Sequence, residues 1–305
     1  MKRYPEAIIA TCVLPWSDQY EFLEDQFRAQ VRSMRENLSK HLYIFGTAGE
    51  GYAVSERQFA RIATVFREET GHAGTTAMLG IISISLATII ERIELGRALG
   101  YRHFQISLPA WGALSDGEVD TFFQETCGRF RDCSFLHYNL MRTKKLLTGD
   151  DYARLSAQHS NLVAVKTGSD DRQFLTDLVV KAPELQLCLS EFGYAMLRNQ
   201  HECSLLISLA STNHRMAQEF FRARGEKLEA MSQEQHTILE ALMTSVNGEA
   251  HMDGAFDKLL YRLHDPNFPL RLLPPYTAAT EEMFAKFRES LPARWCPGEP
   301  VEAEV

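Results

Sequence analysis

The sequence predicts an α/β chain: a (β/α)₈ TIM barrel followed by a C-terminal α-helical extension. Three observations predict it. Short apolar, β-branched runs recur eight times; amphipathic stretches with helix-capping signals lie between most of them; and the chain beyond residue 226 keeps the helical period without any strand signal.

The strand-like runs are AIIATCVL (7–14), LYIFG (42–46), TTAMLGII (75–82), HFQISL (103–108), SFLHYN (134–139), LVAVK (162–166), LQLCLS (185–190) and CSLLISLA (203–210). Strands that alternate with helices imply right-handed βαβ units and a parallel sheet. Eight such units in about 220 residues fit a barrel. An open doubly wound sheet usually has fewer strands and often a glycine-rich phosphate loop after the first. Here that position reads VLPWSDQYEF, which is no such loop.

The helices announce themselves by their caps. Ser55 precedes ERQFARIATVFREE with Gln58 three residues on, the pattern of a capping box. SLATIIERIELGRALG closes on Gly100, suited to the residue just past a helix end. TGDDYARLSAQ and SDDRQFLTDLVVKA repeat the idea, and RMAQEFFRARGE supplies an eighth helix. KLEAMSQEQHTILEALMTSV, GAFDKLLYRLH and TAATEEMFAKFRES read as three further amphipathic helices. The expected division is therefore a barrel over 1–225 and a helical extension over 226–305, with a frayed tail at CPGEPVEAEV.

Composition narrows the function classes. Hydrophobic residues are 45% and charged ones 24%, ordinary for a globular chain. No apolar run approaches the roughly 18 residues of a membrane span. The start, MKRYPEAIIATCVLPW, reads as a first strand rather than a signal peptide. Lys plus Arg total 32 against 40 Asp plus Glu, and a net charge of −8 argues against a nucleic-acid partner. The six cysteines form no C-x-x-C pair, and Cys12, Cys188 and Cys203 sit in apolar runs as small buried hydrophobes. A reducing cytoplasm is the expected compartment.

In such barrels the active site lies at the C-terminal ends of the strands. Four ends are polar: GTAGEG (46–51), Tyr138-Asn139, Lys166-Thr167 and Ser190-Glu191. Alternation puts Lys166, Ala164 and Leu162 on one face of the sixth strand, with Val163 and Val165 on the other. Two readings of Lys166 compete. It can snorkel to solvent or pair with Asp170 or Asp171, or it can be a reactive amine in the barrel mouth. A nucleophilic lysine needs its free base, which is only about 0.1% of an unperturbed amine near pH 7.5, so apolar surroundings such as LVAV are a chemical requirement. Tyr138 on the adjacent strand stands at the right level to be an acid/base partner. His137 should face the helical layer, and His201, His214 and His251 have no metal-ligand spacing.

GTAGEGYAVSERQF (46–59), HYN (137–139) and LVAVKTGSDD (162–171), in this order, resemble the dihydrodipicolinate synthase / N-acetylneuraminate lyase family. The resemblance covers about residues 7–290. It implies a lyase that forms a Schiff base between Lys166 and pyruvate or another 2-keto acid, with an aldehyde as second partner and with neither metal nor other cofactor. Carried over by position, Tyr138 is the proton carrier and Thr47 the hydroxyl that extends its relay. The backbone amides of Thr47 and Ala48 would hold the keto-acid carboxylate, with Gly49, Ser190 and Ile207 also at the substrate. Glu50 reads as structural, bonding the loop backbone. The resemblance further implies a homotetramer built as a dimer of dimers.

Four departures qualify it. Ala48 stands where the synthases carry a second hydroxyl. The loop after the fourth strand reads LPAWGAL, so Trp111 replaces the tyrosine that would cross the dimer interface. YNLMRTKK lacks the usual proline and sets Arg142 one residue early, which leaves it a candidate for the second substrate's carboxylate. Ser190 replaces a glycine. Trp111 and the ending GAFDKLLYRLHDPNFPLRLLPPY look more like the hydratase-aldolase and sugar-acid branches, with Trp111 an interface anchor, a substrate wall, or both. The expected function is aldol cleavage, condensation or dehydration of a catabolic 2-keto acid, either a sugar acid or an arylidene pyruvate. The alternatives are dihydrodipicolinate synthase itself and a non-catalytic 2-keto-acid-binding barrel.

Overall fold

Eight parallel strands close on themselves in chain order: β1 Ile8–Thr11, β2 His41–Ile44, β3 Thr76–Gly80, β4 His103–Ile106, β5 Ser134–Tyr138, β6 Leu162–Thr167, β7 Gln186–Leu189 and β8 Ser204–Leu206. The architecture is that of a computed structural model describing residues 3–297. The last strand pairs with the first through Ile8↔Leu205 and Ile9↔Leu206, so no sheet edge is left open. Residues 298–305 of the tail expected to fray lie outside the described residues.

Each strand is followed by a helix: α1 Glu24–Asn37, α2 Glu56–Thr70, α3 Leu86–Ala98, α4 Asp116–Phe123, α5 Gly149–Gln158, α6 Arg172–Lys181, α7 Glu191–Leu197 and α8 His214–Arg222. The expected caps form. Ser55 Oγ accepts the Gln58 N–H at 3.3 Å while the Gln58 side chain accepts the Ser55 N–H at 2.9 Å. Asp171 accepts the N–H groups of Gln173 and Phe174. Gly100 follows α3 at φ +91°, a left-handed conformation that a side chain would strain.

Strands buried on both faces explain the near-continuous apolar runs. Inward residues Ile9, Tyr43, Met78, Leu136, Ala164, Cys188 and Leu206 fill the barrel, and Tyr4 packs among them. Their outward neighbours, such as Leu42, Phe104, Phe135 and Leu205, join the helices in a second core. The sixth strand departs from simple alternation. The β5–β6 register runs Phe135↔Leu162 and then Leu136↔Ala164, so Val163 is an extra residue on β6. This bulge turns Val163 inward with Ala164 and sends Leu162 outward, correcting the expectation that Leu162 faces in and Val163 out. Beyond the bulge, Ala164, Val165 and Lys166 keep the expected order.

The extension begins with α9 Gly225–Val246 and continues with α10 Asp253–Arg262 and α11 Glu281–Ser290. α9 packs on α7 and α11, while α10 lies against the short turn Leu209–Thr212 that follows β8. Its apolar residues, among them Leu259, Leu260 and Phe287, belong to the same continuous core as the barrel's outer layer. This brings one face of α10 to the barrel mouth.

Candidate active site

The loop after β2 is built around an unusual backbone. Phe45 and Glu50 both take positive φ, +61° and +52°, which non-glycine residues seldom adopt without support. Phe45 is held by stacking on Phe59, with ring centroids 4.6 Å apart. Glu50 is held by three donors: the Trp16 indole at 3.0 Å, the Lys258 ammonium at 2.5 Å and the Leu273 N–H at 2.7 Å. Glu50 is thus structural as expected, but its partners come from other segments rather than from its own loop. Gly49 and Gly51 fold back onto Phe45, where a Cβ would meet the Phe45 backbone at 2.8 Å and 2.1 Å. The turn leaves the amides of Thr47 and Ala48 without an acceptor among the described residues.

β5 and β6 bring Tyr138 and Lys166 into register as direct partners. Lys166 Nζ lies 3.9 Å from the Tyr138 ring centroid and 5.9 Å from that of Tyr43. It turns into a cavity of about 220 Å³ rather than towards Asp171, which caps α6. Thr47, Ala48, Tyr138, Lys166, Ser190 and Ile207, all named from sequence, line this cavity together. Thr47 is 4% exposed and its hydroxyl has no hydrogen-bond partner among the described residues. A buried hydroxyl left unpaired costs about 1–3 kcal/mol, so Thr47 is suited to bond a polar group that enters the cavity.

The other named residues are dispersed. Gly49 shapes the loop without lining either cavity. Arg142 lines a second cavity of about 460 Å³ that also touches Thr47. Its guanidinium is paired with Asp253 at 3.0 Å. Trp111 is 83% exposed and lines neither cavity, and its carbonyl accepts the Lys144 ammonium at 3.2 Å. Asn139 turns away to clamp the following loop, donating to the Leu147 carbonyl and accepting the Leu147 N–H. His137 faces the helices as expected, its Nδ1 2.7 Å from the Tyr152 hydroxyl, and burial lowers its pKa to about 3.

Two residues that sequence reading passed over are Asp253 and Asp257, which stand four apart on α10 and line the Lys166 cavity. Asp257 is buried, and its Oδ1 lies 3.4 Å from the Ser208 hydroxyl. Burial first, then the nearby carboxylates of Asp253 and Glu191, pushes the Asp257 carboxyl well above the ordinary range, against the opposing pull of Lys166. Glu191, also raised by burial, accepts the N–H groups of Ser208 and Ala210 and so fixes the loop after β8. Tyr43 lines the same cavity, its hydroxyl bonded to Gln105 across the barrel. The signal available in HMDGAFDKLL was the pair of aspartates one helical turn apart. By itself that spacing describes a solvated helix face.

Among the described residues, no group of three or more His, Cys, Asp or Glu is arranged to hold a metal ion, and no helix is long and apolar enough to cross a membrane. The Lys166 cavity itself offers an amine, a phenol, free backbone amides, the Thr47 hydroxyl and a protonatable carboxyl.

The sequence profile of the dihydrodipicolinate synthetase family matches residues 4–291. An uncharacterized DapA-like lyase of Pyrococcus abyssi is 22% identical over 174 residues, which is 57% of this chain and 58% of that protein's length. Among solved structures, YagE of E. coli K12, a prophage protein of the dihydrodipicolinic acid synthase family in complex with pyruvate, superposes with a TM-score of 0.81 at 14% identity, covering 93% of this chain and 96% of that one. The N-acetylneuraminate lyase of Proteus mirabilis gives 0.80 at 15% identity, covering 95% and 99%. The dihydrodipicolinate synthase of Thermotoga maritima gives 0.76 at 18% identity, covering 95% and 97%. With its sequence matched almost from end to end and its barrel closed in the same way, this chain belongs to the dihydrodipicolinate synthetase family, a family of lyases.

Proposed function

We propose that the chain is a class I lyase that joins Lys166 to the C2 carbonyl of pyruvate, or of a larger 2-keto acid, and makes or breaks a bond at C3. One observation carries the reading: Lys166 Nζ is 3.9 Å from the Tyr138 ring centroid in a cavity that also presents the unpartnered Thr47 hydroxyl. The pyruvate bound to the E. coli relative supports the choice of keto acid. The free amides of Thr47 and Ala48 suit its carboxylate.

The mechanism follows from these groups. The neutral amine adds to C2, Tyr138 delivers a proton to the carbonyl oxygen, and the phenol oxygen recovers one from the nitrogen. A second proton releases that oxygen as water and leaves the iminium. The iminium withdraws electrons from C3. In the cleavage direction the C4 hydroxyl loses its proton, the C3–C4 pair moves into the iminium, and an aldehyde departs from an enamine. Protonation at C3 and attack by water at C2 return pyruvate and free Lys166. Condensation is the reverse sequence. Thr47, which lines both cavities, is suited to pass protons between the Tyr138 side and the second cavity.

Synthesis of dihydrodipicolinate is the rival reading, favoured by Arg142 at the second cavity. It needs that guanidinium for a carboxylate, and Asp253 already holds it. A cytoplasmic homotetramer completes the proposal. Ile84, Trp111 and Met141, 63%, 83% and 78% exposed in the loops after β3, β4 and β5, offer an apolar surface for self-association.

The test is reduction with borohydride in the presence of pyruvate, followed by intact mass and peptide mapping. A single adduct on Lys166 is expected, and Lys166→Arg should abolish it because a guanidinium stays protonated. An adduct on Lys144 or Lys145, or none at all, overturns the reading.

A further inference from the structure

The cavity beside the Lys166 site has a distinct character. Its walls are apolar at Ile82, Leu108, Leu140 and Met252, while Ser83, Ser107 and Thr143 also line it, the hydroxyls of Ser83 and Thr143 being bonded to their own loops. Two arginines line it, and both are already engaged. Arg92 is buried, donates to the Glu56 carboxylate at 2.7 Å and to the carbonyls of Gly51 and Ile82, and lies over the Phe59 ring. Arg142 is paired with Asp253 at the first position of α10, where a helix N-terminus favours a carboxylate. An incoming carboxylate would have to displace Asp253 and then sit beside it.

The cavity also presents the buried hydroxyls of Thr47 and Tyr52, neither with a partner among the described residues. Thr47 faces the Lys166 cavity as well, so this polar spot marks the junction of the two spaces. The Tyr52 ring is fixed edge-on against Tyr276, with centroids 5.2 Å apart at 89°. Burial, then the Glu50 carboxylate, raises the Tyr52 phenol, so it stays protonated and donates.

We infer that the second cavity receives the aldehyde-derived half of the substrate as an uncharged, mainly apolar alkyl or aryl group. Its single oxygen is held between the hydroxyls of Thr47 and Tyr52, and the Arg142–Asp253 pair excludes carboxylated aldehydes. This rests on the Schiff-base reading above and names its substrate class. In condensation, C3 of the iminium gives a proton back to Tyr138, which had spent one on the departing water, and becomes the enamine. The enamine pair then forms the C3–C4 bond, the aldehyde π pair moves to oxygen, and that oxygen takes up one proton at the Thr47–Tyr52 junction. Water at C2 finally releases a 4-hydroxy-2-keto acid and the free amine. Asp253 and Tyr52 are the specificity residues, one by charge and one by hydrogen bonding.

The experiment starts from the borohydride test, which decides the Schiff-base reading on its own. With an enzyme that traps pyruvate, condensation is followed by mass spectrometry for benzaldehyde, glyceraldehyde and succinic semialdehyde at equal concentration. Benzaldehyde is expected to exceed both others in kcat/KM by tenfold or more. Asp253→Asn and Asp253→Ser should each raise the ratio of succinic semialdehyde to benzaldehyde at least tenfold. A ratio within one variant is insensitive to general loss of activity. Tyr52→Phe should raise KM for benzaldehyde more than it changes the KM for pyruvate. Normal trapping with glyceraldehyde or succinic semialdehyde preferred overturns the inference while sparing the Schiff-base reading. Unchanged ratios in both Asp253 variants overturn it too. Absence of trapping removes both.

Discussion

Lys258 Nζ and Glu50 Oε1 lie 2.5 Å apart although 208 residues separate them, and both side chains are essentially inaccessible to solvent. The pair ties the loop after β2, which carries Thr47, to α10, which carries Asp253 and Asp257. Burial lowers the Lys258 pKa, and the Glu50 carboxylate opposes that fall. Removing one member of a buried pair strands the other's charge, at a cost of about 3–5 kcal/mol. Lys258→Met should lower stability by that amount in chemical denaturation. It should also reduce activity, because the support of a positive-φ residue in the site loop is lost. A variant within about 1 kcal/mol of wild type would show that the pair is dispensable.

Tyr138→Phe removes one hydroxyl and keeps the ring that lies against Lys166 Nζ. A positioned acid/base is worth about 10²–10⁴-fold, so turnover should fall by that factor while the thermal midpoint barely moves. The rate of borohydride trapping should fall with it, since imine formation needs the same proton. Wild-type trapping and turnover in the Phe variant would assign Tyr138 to packing.

Asp257 makes a stability prediction with a definite sign. Its folded pKa is raised above the unfolded value, so its contribution to stability is fully present below about pH 3.9 and is lost as pH rises through the folded value. Asp257→Asn removes that loss. The variant should be more stable than wild type at pH 8, by on the order of 1.4 kcal/mol for each unit of elevation, with no gain near pH 4. Parallel stability–pH curves for the two proteins would contradict the burial argument.

Self-association can be read from light scattering. A tetramer is expected, and charge placed on the exposed apolar loops, as in Trp111→Glu combined with Met141→Glu, should shift the mass towards smaller species. A stable, fully active monomer in the unaltered protein would remove Trp111 from any role at a neighbouring site.

Much of this molecule was legible in local residues. Alternating β-branched runs and capped amphipathic stretches specify strands and helices through short-range periodicity, and eight repeats leave little choice but a closed parallel sheet. The Tyr138 and Lys166 strand ends were readable for the same reason, because a strand terminus in a barrel has one side on which chemistry can sit, whereas the roles of Thr47 and the loop glycines were implied by the family resemblance of GTAGEG. What only tertiary structure decided depends on contacts remote in sequence. The bulge at Val163 arises from how β6 meets β5, and no pattern within LVAVK announces it. The direction of α10's acidic face was set by packing against the turn after β8 and by Lys258 reaching Glu50. That packing converts two aspartates with the spacing of a solvated face into one buried carboxyl beside Lys166 and one partner for Arg142. The sequence by itself determined where the amine and the phenol stand; the fold decided which charges surround them, because burial and pairing depend on neighbours that the chain brings together only when it closes.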